Sequence, residues 1–288
     1  MNRKMLFVLF AVIILTSCSI NNDNAEREII DFNFNWKFNL GEIKEAKNID
    51  LNDSSWETIR LPHDWSVTQS YTKINTSSST GFLPGGIGWY RKSFTLPRQD
   101  SNKVIWIEFD GIYNNSTIWL NGQLLGTRPY GYSSFSFELS EHLNFGEKPN
   151  VISVRVDRSA YADSRWYTGS GIYRNVRLVK TSQLHIAKWS VKITTPKVSK
   201  QIAELIVETS LTNKSGSKKN IELEVSIIDN SNSVIESISK EIETLVSNLG
   251  LSPTFIPWIP SLKEGFPQDV EAELDGLLNR ILSENGGI

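Results

Sequence analysis

Aromatic and cationic side chains are concentrated in residues 164–178 (SRWYTGSGIYRNVRL), which hold three aromatic residues, three arginines and two glycines. Trp166 and Tyr167 offer flat apolar faces that suit the C–H face of a sugar ring, and Arg165 offers a forked donor for hydroxyl or carboxylate groups. The stretch lies between two predicted strands, and loops on a rigid scaffold usually carry recognition groups. We expect ligand recognition here, with packing against another domain as the alternative.

Residues suited to other chemistries are scattered along the chain. The three histidines lie far apart, and no metal-ligand spacing links them to one another or to the single cysteine. No Gly-x-Ser-x-Gly nucleophile motif is present. Acidic pairs such as Glu222 and Glu224 alternate along a predicted strand, which is typical of a solvated face. We therefore expect no catalytic residue, no metal site and no cofactor.

A short proline-containing segment, residues 61–65 (LPHDW), predicts a braced turn. The proline fixes its own φ, and the Asp64 side chain can accept hydrogen bonds from backbone amides just downstream. We assign His63, Asp64 and Trp65 to a structural motif in which His63 is a hydrogen-bonded core residue; direct substrate contact is the alternative. The glycines at 85, 86 and 88 predict a sharp turn before a strand that begins at Trp89.

The composition excludes some partners. The 288 residues include 30 basic and 32 acidic side chains, a net charge of −2, so no long-range field gathers nucleic acid or an anionic membrane. Aromatic residues make up 10% of the chain, which indicates a globular protein with room for roughly two domains. No nucleic-acid partner is expected.

The first residues are typical of a secretory signal. Arg3 and Lys4 precede the apolar run 6–15, which is too short to span a bilayer comfortably. The run leads into Leu-Thr-Ser-Cys, which resembles a bacterial lipobox. We predict a lipoprotein signal peptide over 1–18, lipidation at Cys18 and a polar tether over 19–30, with an ordinary signal peptide as the alternative. The expected location is the bacterial cell envelope, with the chain exported and lipid-anchored.

Alternating apolar residues predict a β-sandwich over residues 31–181. In the segment 104–109, Ile105, Ile107 and Phe109 share one face, as a strand requires. Residues 117–125 predict a hairpin, because an Asn-Gly pair tolerates the positive φ angles of a type I′ turn. The pattern is that of an all-β domain.

A second β region follows over residues 182–245. Four strands are predicted at 185–193, 203–211, 221–228 and 234–242, which resembles the start of an immunoglobulin-like sandwich, although such a sandwich needs about 100 residues. In the tail, 246–288, prolines at 253, 257, 260 and 267 are expected to break regular elements. Apolar residues at helical spacing then predict a short amphipathic C-terminal helix that covers the incomplete sandwich or packs loosely.

Four stretches carry a family resemblance. Their order and spacing over about 150 residues resemble the N-terminal sugar-binding jelly roll of glycoside hydrolase family 2, the family of the large β-galactosidases and β-glucuronidases. The resemblance implies a galactose-binding-like jelly roll followed by an immunoglobulin-like module, with carbohydrate as the partner, and it ends near residue 242. The stretches are 61–65 (LPHDW), 85–94 (GGIGWYRKSF), 110–122 (DGIYNNSTIWLNG) and 164–174 (SRWYTGSGIYR).

The same resemblance adds a candidate residue. Asp157 matches the position at which β-galactosidases of the family place an acidic residue near the galactose, and the loop around Trp166 matches a segment that borders the active-site mouth. Asp157, Arg165, Trp166 and Tyr167 are therefore the candidate substrate-binding residues. The alternative is that Asp157 and Arg165 pair with each other or cap the ends of the loop.

The catalytic machinery of the family is not expected in this chain. Retaining glycosidases need two carboxyl groups about 5 to 5.5 Å apart, which family 2 places on a (β/α)₈ barrel of roughly 250 residues. Only 107 residues follow Thr181. We expect the non-catalytic N-terminal portion of an exported, β-galactosidase-like glycosidase, truncated or frameshifted and inactive alone. The alternative is a stand-alone glycan-binding lipoprotein without hydrolytic activity.

Overall fold

The computed structural model describes residues 27–160, 165–199, 203–244 and 253–258, which form an all-β protein. The predicted signal peptide, Cys18 and the predicted C-terminal helix lie outside these residues. Within them, no helix has the length and apolar character needed to cross a membrane. The all-β class expected from the alternating sequence is confirmed.

Ten strands build the first module as two antiparallel sheets. The strands are β1 (Glu28–Asp31), β2 (Trp36–Leu40), β3 (Glu57–Ile59), β4 (Gly86–Phe94), β5 (Val104–Phe109), β6 (Ser116–Leu120), β7 (Gln123–Arg128), β8 (Phe135–Glu138), β9 (Asn150–Arg158) and β10 (Val176–Thr181). The strand orders are β1-β10-β5-β8 and β3-β2-β4-β9-β6-β7. The two sheets enclose one apolar core, to which Trp36, Tyr90, Phe109, Ile118 and Val154 contribute fully buried side chains.

Local sequence explains the shape of these strands. Ile105, Ile107 and Phe109 all lie on the core face of β5, as their alternation predicts. The hairpin between β6 and β7 turns at Asn121 and Gly122, whose φ angles are +51° and +81° and match the predicted type I′ geometry.

The start of β4 differs from the prediction. The strand begins at Gly86 rather than Trp89, so Gly88 lies inside it, where a Cβ atom would come within 2.7 Å of the Trp65 ring. Gly88 therefore allows close packing instead of a turn.

The second region contains two smaller sheets. One joins β11 (Leu184–Ile186), β12 (Lys192–Val198), β13 (Ala203–Asn213) and β16 (Pro253–Trp258), and the other pairs β14 (Lys219–Ile228) with β15 (Val234–Thr244). The single strand predicted over 185–193 is wrong. The chain bends between β11 and β12, where Trp189 has a φ of +54° and the Ser190 hydroxyl donates to the Ala187 carbonyl at 2.8 Å.

The expectation that prolines 253 and 257 exclude a regular element is also wrong. Both lie in β16, which pairs with β13. Residues four apart in a strand direct their backbone nitrogens to the same edge, so both prolines can face away from the partner strand. Proline is tolerated at such an edge because no ladder donor is lost there.

Charged and aromatic contacts join the two regions. The Trp106 ring of β5 meets His185 of β11 edge to face, with centroids 5.1 Å apart. The Lys188 ammonium lies 2.6 Å from the Glu108 carboxylate, and both side chains are largely buried. The outer face of β5 is thus covered by the second region.

Candidate functional site

Three loop segments meet at one end of the first module. The amides of His63 and Trp65 donate to the carbonyls of Ile172 and Ser170, at 2.9 and 3.1 Å. Tyr113 and Gly171 exchange two backbone hydrogen bonds of 2.9 and 2.8 Å. The loop 165–175 is therefore fixed on both sides.

The 61–65 segment is braced from within. Asp64 Oδ1 accepts a 3.0 Å hydrogen bond from the Ser66 amide, which closes the turn. The buried Trp65 indole stacks on Phe38, with centroids 5.7 Å apart. His63 Nδ1 lies 2.9 Å from the Tyr90 hydroxyl. Burial lowers the pKa of His63. The negative charges of Glu57 and Asp64 act to raise this pKa but do not outweigh burial, so the neutral ring is favoured.

Tyr167 is tied to this segment. Its hydroxyl donates to Asp64 Oδ2, and next to it the Ser66 hydroxyl donates to Ser170 Oγ at 2.6 Å. Burial, together with the Asp64 carboxylate, raises the pKa of Tyr167. The phenol therefore stays protonated and acts as a donor that holds the loop. Sequence reasoning missed this pair, because 103 positions separate the two residues.

Gly171 sits at the tightest point of the loop. Its φ is +123°, and a Cβ atom there would come within 2.1 Å of the Tyr90 hydroxyl and 2.9 Å of the His63 carbonyl oxygen. Only glycine satisfies both the backbone angle and the space.

Arg165 and Trp166 point outward. Trp166 exposes 70% of its surface, and Arg165 is exposed as well. The loop therefore presents an indole face and a guanidinium while Tyr167, the next residue, anchors it. An exposed ring on a fixed backbone is suited to stacking against a sugar.

Asp157 lies near the end of β9, on the outer face of its sheet. Its carboxylate accepts hydrogen bonds from the Ser159 amide at 3.1 Å and hydroxyl at 2.6 Å, and from Arg155 at 3.2 Å. Burial acts to raise the pKa of Asp157, but these hydrogen bonds and the Arg155 charge outweigh it and keep the pKa below its ordinary value. Among the described residues, its ion-pair partner is Arg155 and not Arg165.

Asp157 reaches the loop through the backbone. Its amide donates to the Asn114 carbonyl at 3.2 Å, and the neighbouring Tyr113 is the residue that bonds Gly171. Asp157 and Trp166 therefore belong to the same end of the module, although no hydrogen bond joins their side chains among the described residues. Arg155 is itself held by Glu42, with the closest nitrogen and oxygen 2.6 Å apart.

The arrangement favours recognition. Asp64 and Asp157 are two carboxylates at this end, and each accepts hydrogen bonds from neighbours in its own module. In the part of the chain that the structure describes, no three His, Cys, Asp or Glu side chains come together as a metal site. An ionised carboxylate, an exposed indole and a guanidinium can orient a neutral or anionic sugar.

The ten-stranded module that carries this loop end matches a known family. The model for "Glycosyl hydrolases family 2, sugar binding domain" matches residues 29–182, which cover all ten strands of the first module except the first residue of β1. The chain belongs to glycoside hydrolase family 2.

Similar proteins are longer. The β-galactosidase BoGH2A of Bacteroides ovatus is 44% identical over 208 residues, which are 72% of this chain and 24% of the relative. A β-glucuronidase of Formosa agariphila is 32% identical over 241 residues, 76% of this chain and 24% of that protein. The chain thus spans about a quarter of the length of the curated relatives that it matches.

Solved structures agree on the architecture. A glycosyl hydrolase family 2 member from Bacteroides cellulosilyticus superposes with a TM-score of 0.73 and 34% identity, over 80% of this chain and 30% of that chain. A β-glucuronidase of glycoside hydrolase family 2 gives a TM-score of 0.72 and 28% identity, over 82% of this chain and 26% of that chain.

Proposed function

We propose that the chain is the N-terminal, non-catalytic portion of an exported β-galactosidase-like glycosidase. The observation that carries the proposal is the 44% identity to a β-galactosidase over 72% of this chain, matched to only 24% of that enzyme. The end of the first module that carries Asp157, Arg165 and Trp166 offers side chains that can contact a sugar, as such a portion needs. In this proposal the parent enzyme is a longer family 2 glycosidase, of which the chain is the N-terminal part.

In this proposal the module binds and orients a terminal sugar. Asp157 remains ionised because of Ser159 and Arg155, and it accepts hydrogen bonds from sugar hydroxyls. The exposed Trp166 ring stacks against the C–H face of the sugar, and Arg165 donates to its oxygens. A sugar that lacks the matching hydroxyl leaves the carboxylate without its partner, which penalises binding.

Bond cleavage is assigned to residues outside this chain. Retaining hydrolysis needs one carboxyl as acid and base and a second as nucleophile, about 5 to 5.5 Å apart. Asp64 accepts hydrogen bonds from Ser66 and Tyr167 and holds the loop, and Asp157 accepts them from Ser159 and Arg155 with an acceptor position left for a sugar hydroxyl, so neither is assigned as acid or nucleophile. We therefore infer that the isolated chain does not hydrolyse glycosides.

The direct test is an assay of the purified chain on chromogenic β-galactoside and β-glucuronide substrates. No release of the chromophore above a buffer blank is expected. Turnover that persists after repeated purification would overturn the non-catalytic assignment. Sequencing the DNA downstream provides a second test: a shifted frame that encodes a barrel with two glutamates supports the parent enzyme, and its absence contradicts it.

The role of Asp157 is tested in the full-length parent enzyme. Asp157→Asn keeps the shape but removes the charge, and we expect kcat/KM for a β-galactoside to fall at least tenfold, about 1.4 kcal/mol. Glu42→Gln, which changes a carboxylate on the far side of Arg155, is the matched control and should cost less than threefold. Equal effects of the two variants would contradict the proposed contact.

A stand-alone glycan-binding lipoprotein is the second proposal. It is favoured by the self-contained first module, whose core is enclosed by its own ten strands. Micromolar retention of a glycan by the chain, without turnover and without any barrel encoded downstream, would select this function.

Export and lipid anchoring at Cys18 are also proposed, on the strength of the N-terminal sequence. We expect radioactive palmitate to label the wild-type chain and not Cys18→Ser, and the label to fractionate with membranes. Labelling that survives the substitution would contradict anchoring at Cys18. Cleavage without labelling would indicate an ordinary signal peptide instead.

A further inference from the structure

Two exposed tyrosines stand next to each other in the turn between β7 and β8. Tyr130 exposes 65% of its surface and Tyr132 exposes 47%. Their ring centroids are 5.8 Å apart and the rings meet at 70°, so together they form an open corner. Neither residue belongs to the candidate set around Asp157 and Trp166.

Ring packing and a hydrogen bond from neighbouring residues fix this corner in place. The Tyr132 ring packs on Tyr113 and Tyr173, with centroid distances of 5.2 and 6.2 Å. The Tyr173 hydroxyl donates to the Gly131 carbonyl at 2.9 Å. Gly131 itself lies so close to Tyr113 that a Cβ atom would come within 2.4 Å of the ring. The backbone between the two exposed rings is therefore fixed before any ligand arrives, which reduces the entropy cost of binding.

The exposed area of the corner is too small to form a stable protein–protein interface by itself. A tyrosine side chain offers about 150 to 250 Å² of surface. At the observed exposures of 65% and 47%, the two tyrosines together present only about 170 to 280 Å². A stable protein interface buries about 800 Å² on each partner. The area instead suits one or two sugar rings.

The chemistry of the rim agrees with that size. The rings offer apolar faces, and the neighbouring Ser133, Ser134 and Arg174 are exposed polar residues. A pyranose has the complementary pattern, with a C–H face for the ring and equatorial hydroxyls for the polar rim.

We propose that Tyr130 and Tyr132 form a second carbohydrate-binding site, a stacking platform for a pyranose of a glycan chain. The platform goes beyond the proposed function, because it needs neither a catalytic barrel nor Asp157. Through it the module binds a polysaccharide at a second position, separate from the sugar that Asp157 would contact.

Affinity electrophoresis tests the platform with the full chain, carrying Cys18→Ser in every sample to remove the predicted lipidation site. The gels contain soluble β-1,4-galactan or hydroxyethyl cellulose. We expect the chain to be retarded in at least one gel, and the double variant Tyr130→Ala, Tyr132→Ala to need at least tenfold more polysaccharide for the same retardation. Tyr130→Phe, Tyr132→Phe keeps both ring faces and should stay within threefold.

Two further variants make the outcome specific. Trp189→Ala removes an aromatic residue of similar exposure, 69%, from the second region and should not change retardation. Tyr71→Ala removes a tyrosine of comparable exposure, 76%, from the segment before β4 and should not change it either. Unchanged melting temperatures show that the variants fold. The proposal is overturned if neither polysaccharide retards the wild-type chain, or if the double alanine variant is retarded as strongly as wild type.

Discussion

Replacing Gly171 with alanine should break the fixed loop through two separable effects. The φ of +123° is strained for alanine, which costs about 1 to 3 kcal/mol. The new Cβ atom would also lie 2.1 Å from the Tyr90 hydroxyl and 2.9 Å from the His63 carbonyl oxygen. Tyr90 is fully buried and cannot retreat, so overpacking adds about 1 to 3 kcal/mol. The expected total loss of unfolding free energy is about 2 to 6 kcal/mol.

Gly41 provides a matched control for the strain. Its φ is +120°, almost the same as at Gly171, but no atom lies within 4 Å of its missing Cβ. Gly41→Ala therefore carries the backbone cost alone, about 1 to 3 kcal/mol. Urea unfolding followed by tryptophan fluorescence gives both values under the same conditions, and their difference measures the crowding at Gly171.

A double-mutant cycle identifies the clashing atom. Tyr90→Phe removes the hydroxyl and by itself loses the hydrogen bond to His63, worth about 1 kcal/mol. In the Gly171→Ala background the same change removes the closest contact, so we expect a favourable coupling of at least about 1 kcal/mol. The reasoning is refuted if Gly171→Ala is no more destabilising than Gly41→Ala, or if the coupling is zero.

Further substitutions test other contacts. Arg91→Met leaves Asp53, at 2.8 Å, without its buried partner and should cost about 2 to 4 kcal/mol in urea unfolding; a loss below about 1 kcal/mol would contradict this. Asp157 has a lowered pKa in the fold, so its contribution to stability is present above the pKa of the unfolded carboxyl, about 3.9, and is lost as the pH falls through the folded value. Asp157→Asn should therefore flatten the fall in stability below about pH 4, and an unchanged acid profile would refute that. Lys188→Met should cost about 1 to 3 kcal/mol because the Glu108 carboxylate loses its partner, and adding Glu108→Leu should recover most of the loss. A double variant no more stable than the single one would argue against this pair.

The strands of the first module were predictable because successive side chains point to opposite faces of a strand, so the apolar residues of the core face recur at every second position. The spacing of Ile105, Ile107 and Phe109 identifies the core face of β5. The Asn121-Gly122 turn was predictable for a similar local reason, since few other pairs accept two positive φ angles. The bend at Trp189 was missed because a bulky residue with positive φ leaves no local signal.

Fewer contacts of the candidate site could be predicted from the sequence. Arg155 could have been recognised as the partner of Asp157, because residues two apart on a strand share a face. Glu42, which holds Arg155 from the other side, gives no such signal, because 113 positions separate the two in the chain. The Tyr167 contact with Asp64 is likewise set by how distant loops meet, which the pattern of either loop alone does not report.

The pairing of β1 with β10 affects how this protein is made. Glu28 lies opposite Lys180 and Asp31 opposite Arg177, so the first strand to leave the ribosome pairs with the last strand of its module. At the usual rate of synthesis, about 5 to 20 residues per second, β1 waits roughly 7 to 30 s for that partner. During this interval the nascent module cannot close its sheet. Until β10 is made, the backbone groups of β1 are open to pairing with other strands of the growing polypeptide.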